Sequence, residues 1–320
     1  MELIEYSSLW KQILYDFFID QYPNRSKEFV LWWIDQIEKT DAGKRTYLVV
    51  ENQKILGCTQ GVYFNVIDRN NNKTLLYWSA NTVVDKKERG RGIGKLLSDK
   101  WQYNDDFAAV GFTEAMWKIT VKQFEGLYRL LSFVNVFIDI NTKFIYTIYQ
   151  YIAFKLFKKK TNKKELILPE SKLFTLIHDS KELNLDERYI GCNAQVLRDS
   201  DFIKDRFFNI YLKNYLFKHD VNGISECYFV VRPIQLYGIT MLSLVDYRYT
   251  DKKYIPLIRR EIRRIAKKNN IGLCMTLTSE KKWFGYKLRK ELQAITFNKN
   301  VETDILITSA DSDLDFVYYK

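Results

Sequence analysis

The stretch from Val83 to Leu97, VVDKKERGRGIGKLL, concentrates the residue types best able to hold an anion. Gly90, Gly92 and Gly94 alternate between a β-rich segment and a helical one. Glycine permits positive φ and carries no Cβ, so successive backbone N–H groups can converge on one anion. The helix start that follows adds its partial positive charge, and Arg89, Arg91 and Lys95 add full charges. That chemistry suits a phosphate or pyrophosphate. A Walker A loop needs Ser or Thr after its Gly-Lys, and Leu96 stands there instead. The dinucleotide pattern G-x-G-x-x-G meets Lys95 at its third glycine, and the strands before it read as hairpins rather than a βαβ unit. What remains is R-x-x-G-x-G, formed by Arg89, Gly92 and Gly94.

Other chemistry-bearing residues are sparse. His178 and His219 are the two histidines, so no metal site is expected and a histidine-based triad has few candidates. Cys58, Cys192, Cys227 and Cys274 stand far apart without C-x-x-C spacing. They read as buried thiols in a reducing compartment, not as a disulfide frame or zinc site. A chain of 320 residues suits two domains of about 150 each. Hydrophobic residues at 47% and charged residues at 28% are globular values and exclude disorder or a fibrous repeat. Lys plus Arg at 50 against Asp plus Glu at 39 gives +11. That balance suits an anionic partner, whether nucleic acid, phosphorylated cofactor or membrane surface. The N-terminus does not read as a signal peptide, and no apolar run reaches the roughly 18 residues of a spanning helix. A cytoplasmic protein is expected.

The elements that must position the glycine turn follow from periodicity. The first forty residues read as helical, with Leu9, Ile13 and Phe17 at helical spacing, then Phe29, Trp33 and Ile37 after Pro23-Asn24. Tyr47–Val50 and Ile55–Val66 read as a hairpin across Asn52-Gln53. Asp68–Asn72 is a polar turn, Thr74–Val84 a strand, and Lys95 to about Gln102 a helix. Ala115–Val121 then reads as a strand, Gln123–Leu131 as a helix, and Val134–Ile140 as the strand completing the half.

With these elements in this order, the glycine turn resembles the pyrophosphate loop of the GNAT superfamily of acyl-CoA-dependent N-acyltransferases, V-x-P-x-x-R-G-x-G-I-G. Val84 to Gly94 match it, with Lys86 in place of the proline, and the resemblance covers roughly residues 1–140. It implies that the amides from Arg89 through Gly90, Arg91, Gly92 and Ile93 to Gly94, with Lys95, hold the coenzyme A pyrophosphate. The edge of Thr82, Val83 and Val84 would pair with the pantetheine arm. A splay between that strand and Ala115–Val121 would admit the acyl group, and an N–H near Val83 or Val84 would stabilise the oxyanion. The family often protonates the leaving thiolate from a tyrosine in L-Y-x-x-x-G-F. Leu127 to Phe133 match except for Ser132, which makes Tyr128 the general-acid candidate. Acetyl-CoA as acyl donor and no metal are the implied requirements.

A general base near the acceptor should be a carboxylate or a water relay. Glu51 on the first hairpin and Asp246 in the apolar run Leu244–Tyr247 are the candidates. An exposed turn residue and a strand-end ion pair are their respective structural readings.

The second half repeats the strand–helix order without a glycine turn: Phe229–Val231 and Ile239–Tyr249 as strands, Tyr254–Lys268 as a helix, Ile271–Leu277 as a strand, Trp283–Leu292 as a helix, and Ile305–Ile307 as a closing strand. No residue-level repeat is read between the halves. The expected fold is therefore α/β, with two GNAT-like domains, each a mixed, mainly antiparallel central sheet flanked by helices. The domains are 1–143, catalytic and acyl-CoA-binding; 144–164, an aromatic and basic linker; and 165–320, a degenerate copy for acceptor binding or dimerisation.

Residues 144–157, FIYTIYQYIAFKLF, precede a lysine run and read either as a helix packed between domains or as an interfacial membrane segment. In the second reading 144–160 contact the inner face of a membrane and the acceptor is a lipid-linked sugar. The leading function is N-acetyl transfer to an amino group on a sugar or surface-polysaccharide precursor. The alternatives are an aminoacyl-tRNA-dependent transferase of FemABX type and a non-catalytic coenzyme-A-binding module. A homodimer is compatible with each, and nucleic acid is not the expected partner. Trp32, Trp33 and Trp78 could stack on a sugar ring or belong to the core.

Overall fold

A computed structural model describes residues 1–23, 25, 27–39, 45–100, 107–110, 128–157, 165–184, 194–209, 211–236, 238–281, 283, 285–288, 292–296 and 298–311. They form two compact units. The first takes Met1–Val66, Lys73–Ser132 and Leu292–Thr303; the second takes Ile67–Asn72, Phe133–Glu291 and the chain from Asp304 onward.

In the first half the described elements are β1 (Glu2–Glu5), α1 (Lys11–Gln21), α2 (Lys27–Lys39), β2 (Thr46–Glu51), β3 (Lys54–Asp68), β4 (Lys73–Val84), α3 (Ile93–Asp99), β5 (Phe107–Val110) and β6 (Arg129–Ile140). Then come α4 (Phe144–Phe157), β7 (Thr175–Ile177), β8 (Ala194–Val196), α5 (Ser200–Phe207), β9 (Tyr215–Val221), β10 (Ile224–Leu236), β11 (Ile239–Tyr249), α6 (Ile255–Lys268), β12 (Leu273–Thr278), β13 (Tyr286–Lys287), β14 (Leu292–Thr296) and β15 (Ile305–Leu306).

The first unit orders its strands β1-β2-β3-β4-β5-β14. Neighbours are antiparallel at β1–β2, β2–β3 and β5–β14, while β4 and β5 run parallel with α3 between them in sequence. Asn52 and Gln53, at φ 49° and 59°, make the tight β2–β3 turn that the sequence indicates. The Asp68 carboxylate closes the β3–β4 turn by accepting from the Asn70 and Asn72 amides, each at 2.8 Å. Tyr47, Val49, Leu56, Ile93, Leu97, Phe107 and Ala109 form a core beneath α3.

The second unit orders its strands β7-β9-β10-β11-β12-β6, with β11–β12 parallel and spanned by a helix, α6; off this path β8 and β15 pair in parallel. Its core is aromatic, with Phe217 stacked on Phe229 at 5.0 Å and Tyr247 beside Trp283 at 4.6 Å. Ile258, Ile262 and Ile265 of α6 are buried on one stripe, as their spacing requires.

Several expectations change. Glu2–Glu5 is a strand paired with β2, so the first helix starts at Lys11 and buries Leu14, Phe17 and Phe18, leaving Leu9 91% exposed. The parallel partner of β4 is Phe107–Val110, a short alanine-containing strand with little periodicity to announce it. The expected strand Ala115–Val121, and the expected helix as far as Leu127, lie outside the described residues. Residues 129–131 belong to β6, not to a helix. Leu131, Ser132, Val134 and Val136 are buried, and this β-branched, aromatic stretch gains more from sheet pairing than from its weak helical preference.

Val134–Ile140 is a strand, but it completes the second unit by pairing with β12, Ile140 opposite Leu273. Among the described residues of the expected helix Trp283–Leu292 none is helical. Gly285 sits at φ +116°, where an added Cβ would meet the Ile138 carbonyl oxygen at 2.5 Å, and Tyr286–Lys287 pair with β6. The first unit in turn completes its sheet with β14, where Ala294 faces Val110. Each unit thus takes its last strand from the other half of the chain.

Candidate functional site

The glycine turn is built by what flanks it. Asp85 leaves β4 buried, with its amide donating to the Leu56 carbonyl at 2.9 Å. Its carboxylate caps a short 3-10 turn, Lys86–Glu88, by accepting from the Lys87 amide at 3.0 Å, and also accepts from Lys54 Nζ at 3.0 Å. The Lys87 amide and Lys54 bonds outweigh the effect of burial and hold its pKa below the ordinary value. Gly90 and Gly92 follow at φ +89° and +80°, and an added Cβ at either would meet nothing within 4 Å. The turn is therefore open on its outer side. α3 starts at Ile93, and the Lys95 and Leu96 amides both donate to the Gly92 carbonyl at 3.1 Å. The Ile93 and Gly94 amides, in the first helical turn, have no intrahelical acceptor.

Two of the three expected cations remain available to an anion. Arg89 and Lys95 are exposed and, among the described residues, pair with no carboxylate. Arg91 is engaged: it donates to Glu51 at 2.9 and 3.1 Å and to Glu88 Oε2 at 2.6 Å. Glu51, expected as a base candidate, is thereby the clamp on the turn. The hydrogen bond from Arg91 lowers its pKa, the opposite of what a general base near neutrality needs.

Gly57 of β3, unnoticed in the sequence, sets how closely α3 lies on the sheet. A Cβ there would stand 2.7 Å from Ile93 Cγ2 and 3.2 Å from the Val83 carbonyl. Beside it a hydroxyl cluster links β3 to β4: Thr59 Oγ1 lies 2.7 Å from Thr82 Oγ1, which lies 3.3 Å from Ser79 Oγ.

β5 pairs with β4 at Tyr77–Phe107 and Trp78–Ala108 only, among the described residues, and then continues against β14 through Ala109 and Val110. By the same register the residues that would face Thr82–Val84 follow Val110 and lie outside the described residues. The expected splay against Ala115–Val121 therefore lies outside the described residues, and Phe107–Val110 is the described parallel neighbour of β4. Trp32, Trp33 and Trp78 are buried in the core, and Trp33 Nε1 donates to Gln60 Oε1, so these rings are not presented to a sugar. Tyr128 is half-buried and immediately precedes β6.

Asp246 belongs to a different structure. It is fully buried on β11 and accepts five hydrogen bonds: from Arg198 at 2.9 and 3.1 Å, Tyr228 at 2.6 Å, Arg248 at 2.8 Å and Thr308 at 2.7 Å. Asp311 completes the cluster against Arg198 and the Thr308 amide. Burial alone would raise the Asp246 pKa, but Arg198 and Arg248 pull it well below the usual carboxylate range. A carboxylate engaged in this way has the opposite bias from a general base working near neutrality, and its five bonds tie β11 to Arg198 and Thr308.

The second unit carries a counterpart of the turn without its glycines. Asp251 caps a 3-10 turn, Lys252–Tyr254, through the Lys253 amide at 2.9 Å, as Asp85 does through Lys87. Asp-Lys-Lys thus occurs at the same structural place in both units, a repeat that the sequence displays and that was not read there. α6 then begins at once with Pro256 in its first turn, so no amide nest forms. Three of its four arginines are engaged: Arg259 and Arg263 both grip Asp139, and Arg264 bonds Glu261 and the carbonyls of Pro169 and Glu170. Among the described residues no cluster of His, Cys, Asp and Glu is arranged to hold a metal ion.

Comparison with known proteins agrees with this geometry. No family model and no curated protein matches the chain. Solved structures do. A probable N-acyltransferase from Enterococcus faecalis is similar over 93% of this chain and 73% of its own, with TM-score 0.58 and 11% identity. A GCN5-related N-acetyltransferase from Anabaena variabilis is similar over 92% and 71%, with TM-score 0.57 and 10% identity. The Saccharomyces cerevisiae N-myristoyltransferase, solved with bound myristoyl-CoA, is similar over 92% and 80%, with TM-score 0.54 and 14% identity. The chain has the mixed α/β fold of the GCN5-related acyltransferases.

Proposed function

We propose that the protein transfers an acyl group from a coenzyme A thioester directly to an amine. The observation that carries this reading is the open amide turn Arg89–Gly94 at the head of α3, directly after β4. Arg89, Lys95 and the amides of Gly90 to Gly94 suit a pyrophosphate, and the edge of Thr82, Val83 and Val84 suits the amide-bearing pantetheine arm. An N–H at Val83 or Val84 would polarise the thioester carbonyl, and Tyr128 would protonate the departing thiolate. Direct attack is the proposed step: burial raises the Cys58 thiol and pushes those of Cys227 and Cys274 up to about 12, which disfavours an acyl-enzyme on these three, and Cys192 lies outside the described residues.

Acetyl-CoA is the first donor to test and an amino sugar of a surface-polysaccharide precursor the first acceptor. In this reading residues 1–143 carry the chemistry, and 165–320 bind acceptor or a second copy. A peripheral position at the inner face of a membrane, through 144–160, belongs to the same reading and favours a lipid-linked acceptor. One observation favours a non-catalytic coenzyme-A-binding module instead: both candidate carboxylate bases are held in ion pairs with lowered pKa.

Calorimetric titration with acetyl-CoA and with myristoyl-CoA, beside an Arg89→Ala, Gly92→Asp double variant, tests the proposal. Saturable binding lost in the variant is the expected result. Absence of binding to either thioester overturns it and turns attention to aminoacyl-tRNA. Binding without turnover over a panel of amines leaves the non-catalytic module.

A further inference from the structure

Helix α4 is built inside out. Its buried stripe is Thr147, Gln150 and, less deeply, Phe154, at helical spacing. Thr147 Oγ1 accepts from the Gly272 amide at 3.1 Å, and Gln150 Oε1 is buried with no hydrogen-bond partner among the described residues. The opposite stripe, Ile145, Tyr149, Ile152 and Leu156, is apolar and faces outward. Ile145 is 79% exposed, Tyr149 66%, Leu156 69% and the neighbouring Phe157 76%. An ordinary surface helix places these side chains inward and its Thr and Gln outward.

The inner face cannot simply rotate. Glycines receive it: a Cβ at Gly272 would meet Phe144 Cα at 2.5 Å, and one at Gly238 would meet the Phe154 ring at 2.1 Å. The close seat of the polar stripe is therefore built into the unit, and the apolar stripe is held outside. A patch of this kind marks an interaction surface.

We propose that α4 docks on an anionic membrane surface, lying in the headgroup plane with its outer stripe among the acyl chains. Charge identifies the occupant. From Phe144 to Lys164 the sequence has no acidic residue, and Lys158, Lys159, Lys160, Lys163 and Lys164 follow the helix directly. Basic residues beside an apolar stripe meet acidic headgroups and acyl chains together. Tyr146 and Tyr149, stacked at 6.4 Å, and Tyr151, with Lys155 over its ring at 5.5 Å, are the amphipathic side chains that favour the interface. Fourteen residues are too few to cross a bilayer, which takes about 20. The helix therefore lies on the membrane. Two copies meeting in parallel through α4 would bring their lysine runs together, which disfavours that arrangement.

This inference deepens the peripheral position named above but does not depend on coenzyme binding. The test is co-sedimentation of the full chain with vesicles of phosphatidylcholine alone and with equimolar phosphatidylcholine and phosphatidylglycerol. Binding to the mixed vesicles, falling with added salt, is expected. A Tyr149→Glu, Leu156→Glu variant, altered at exposed positions only, should lose more than about tenfold in affinity, as should Lys158→Glu, Lys159→Glu, Lys160→Glu. Coenzyme titration of both variants in solution separates failure of this inference from failure of the acyltransferase reading. No binding to mixed vesicles overturns the proposal, as does binding that the apolar-face variant retains. A dimer that the apolar-face variant abolishes, without vesicle binding, assigns the face to a second copy and also overturns it.

Discussion

Asp246 sits at the centre of a neutral, buried cluster in which two arginines face two aspartates. Removing the carboxylate leaves Arg198 and Arg248 buried with Asp311 as their one remaining carboxylate, so Asp246→Ala should cost about 3–5 kcal/mol in denaturant unfolding at neutral pH. The pH dependence has a definite sign. The folded pKa lies well below the ordinary 3.8, so the unfolded state binds the proton more tightly. The stabilisation is complete above that ordinary value and is lost as pH falls below it. Wild type should thus lose stability steeply on the acid side, and Asp246→Asn should show a flatter acid limb. Equal acid limbs would remove Asp246 from this role. In the sequence, a carboxylate in an apolar strand announced that it needed a partner. That the partners were Arg198, 48 residues away, and Asp311, which binds the same arginine, could not be read from spacing.

Gly57 shows the corresponding gap at the scale of elements. The glycine turn was legible because its requirements are local: positive φ at Gly90 and Gly92, a cap at Asp85 and a helix start directly after. The requirement for Gly57 arises 36 residues away, where Ile93 of α3 comes down on β3. Gly57→Val should destabilise the protein by about 1–3 kcal/mol and displace α3 with the turn at its head. The expected readouts are a lowered midpoint in thermal unfolding and coenzyme affinity reduced about tenfold, the latter marking a shifted site. Unchanged affinity in a folded variant would mean that the turn keeps its place without α3. Short strands were hidden for the same reason. Phe107–Val110 has almost no pattern of its own and is a strand because β4 and β14 flank it. Trp283–Leu292 has helical composition, yet Gly285 and the pairing with β6 decide otherwise.

At the scale of the whole molecule the last strands are exchanged, β14 to the first unit and β6 to the second. A fragment of residues 1–143 lacks β14 and leaves the β5 edge unpaired, which invites edge-to-edge association. It should aggregate when produced alone and become soluble when co-produced with 144–320, as size-exclusion chromatography with light scattering would report. A monomeric 1–143 fragment with a sharp unfolding transition would show that the strand is dispensable. The exchange also bears on synthesis. Domains of a growing chain ordinarily fold in order, the N-terminal one first. Here the N-terminal sheet must wait until Leu292–Thr296 have left the ribosome, an interval of roughly ten to forty seconds after Val110 at about 5–20 residues per second. During that interval the nascent chain exposes a sheet edge with no strand yet made to cover it, so the protein's yield should depend on holdase chaperones and on translation speed more than that of a protein whose domains close in sequence order.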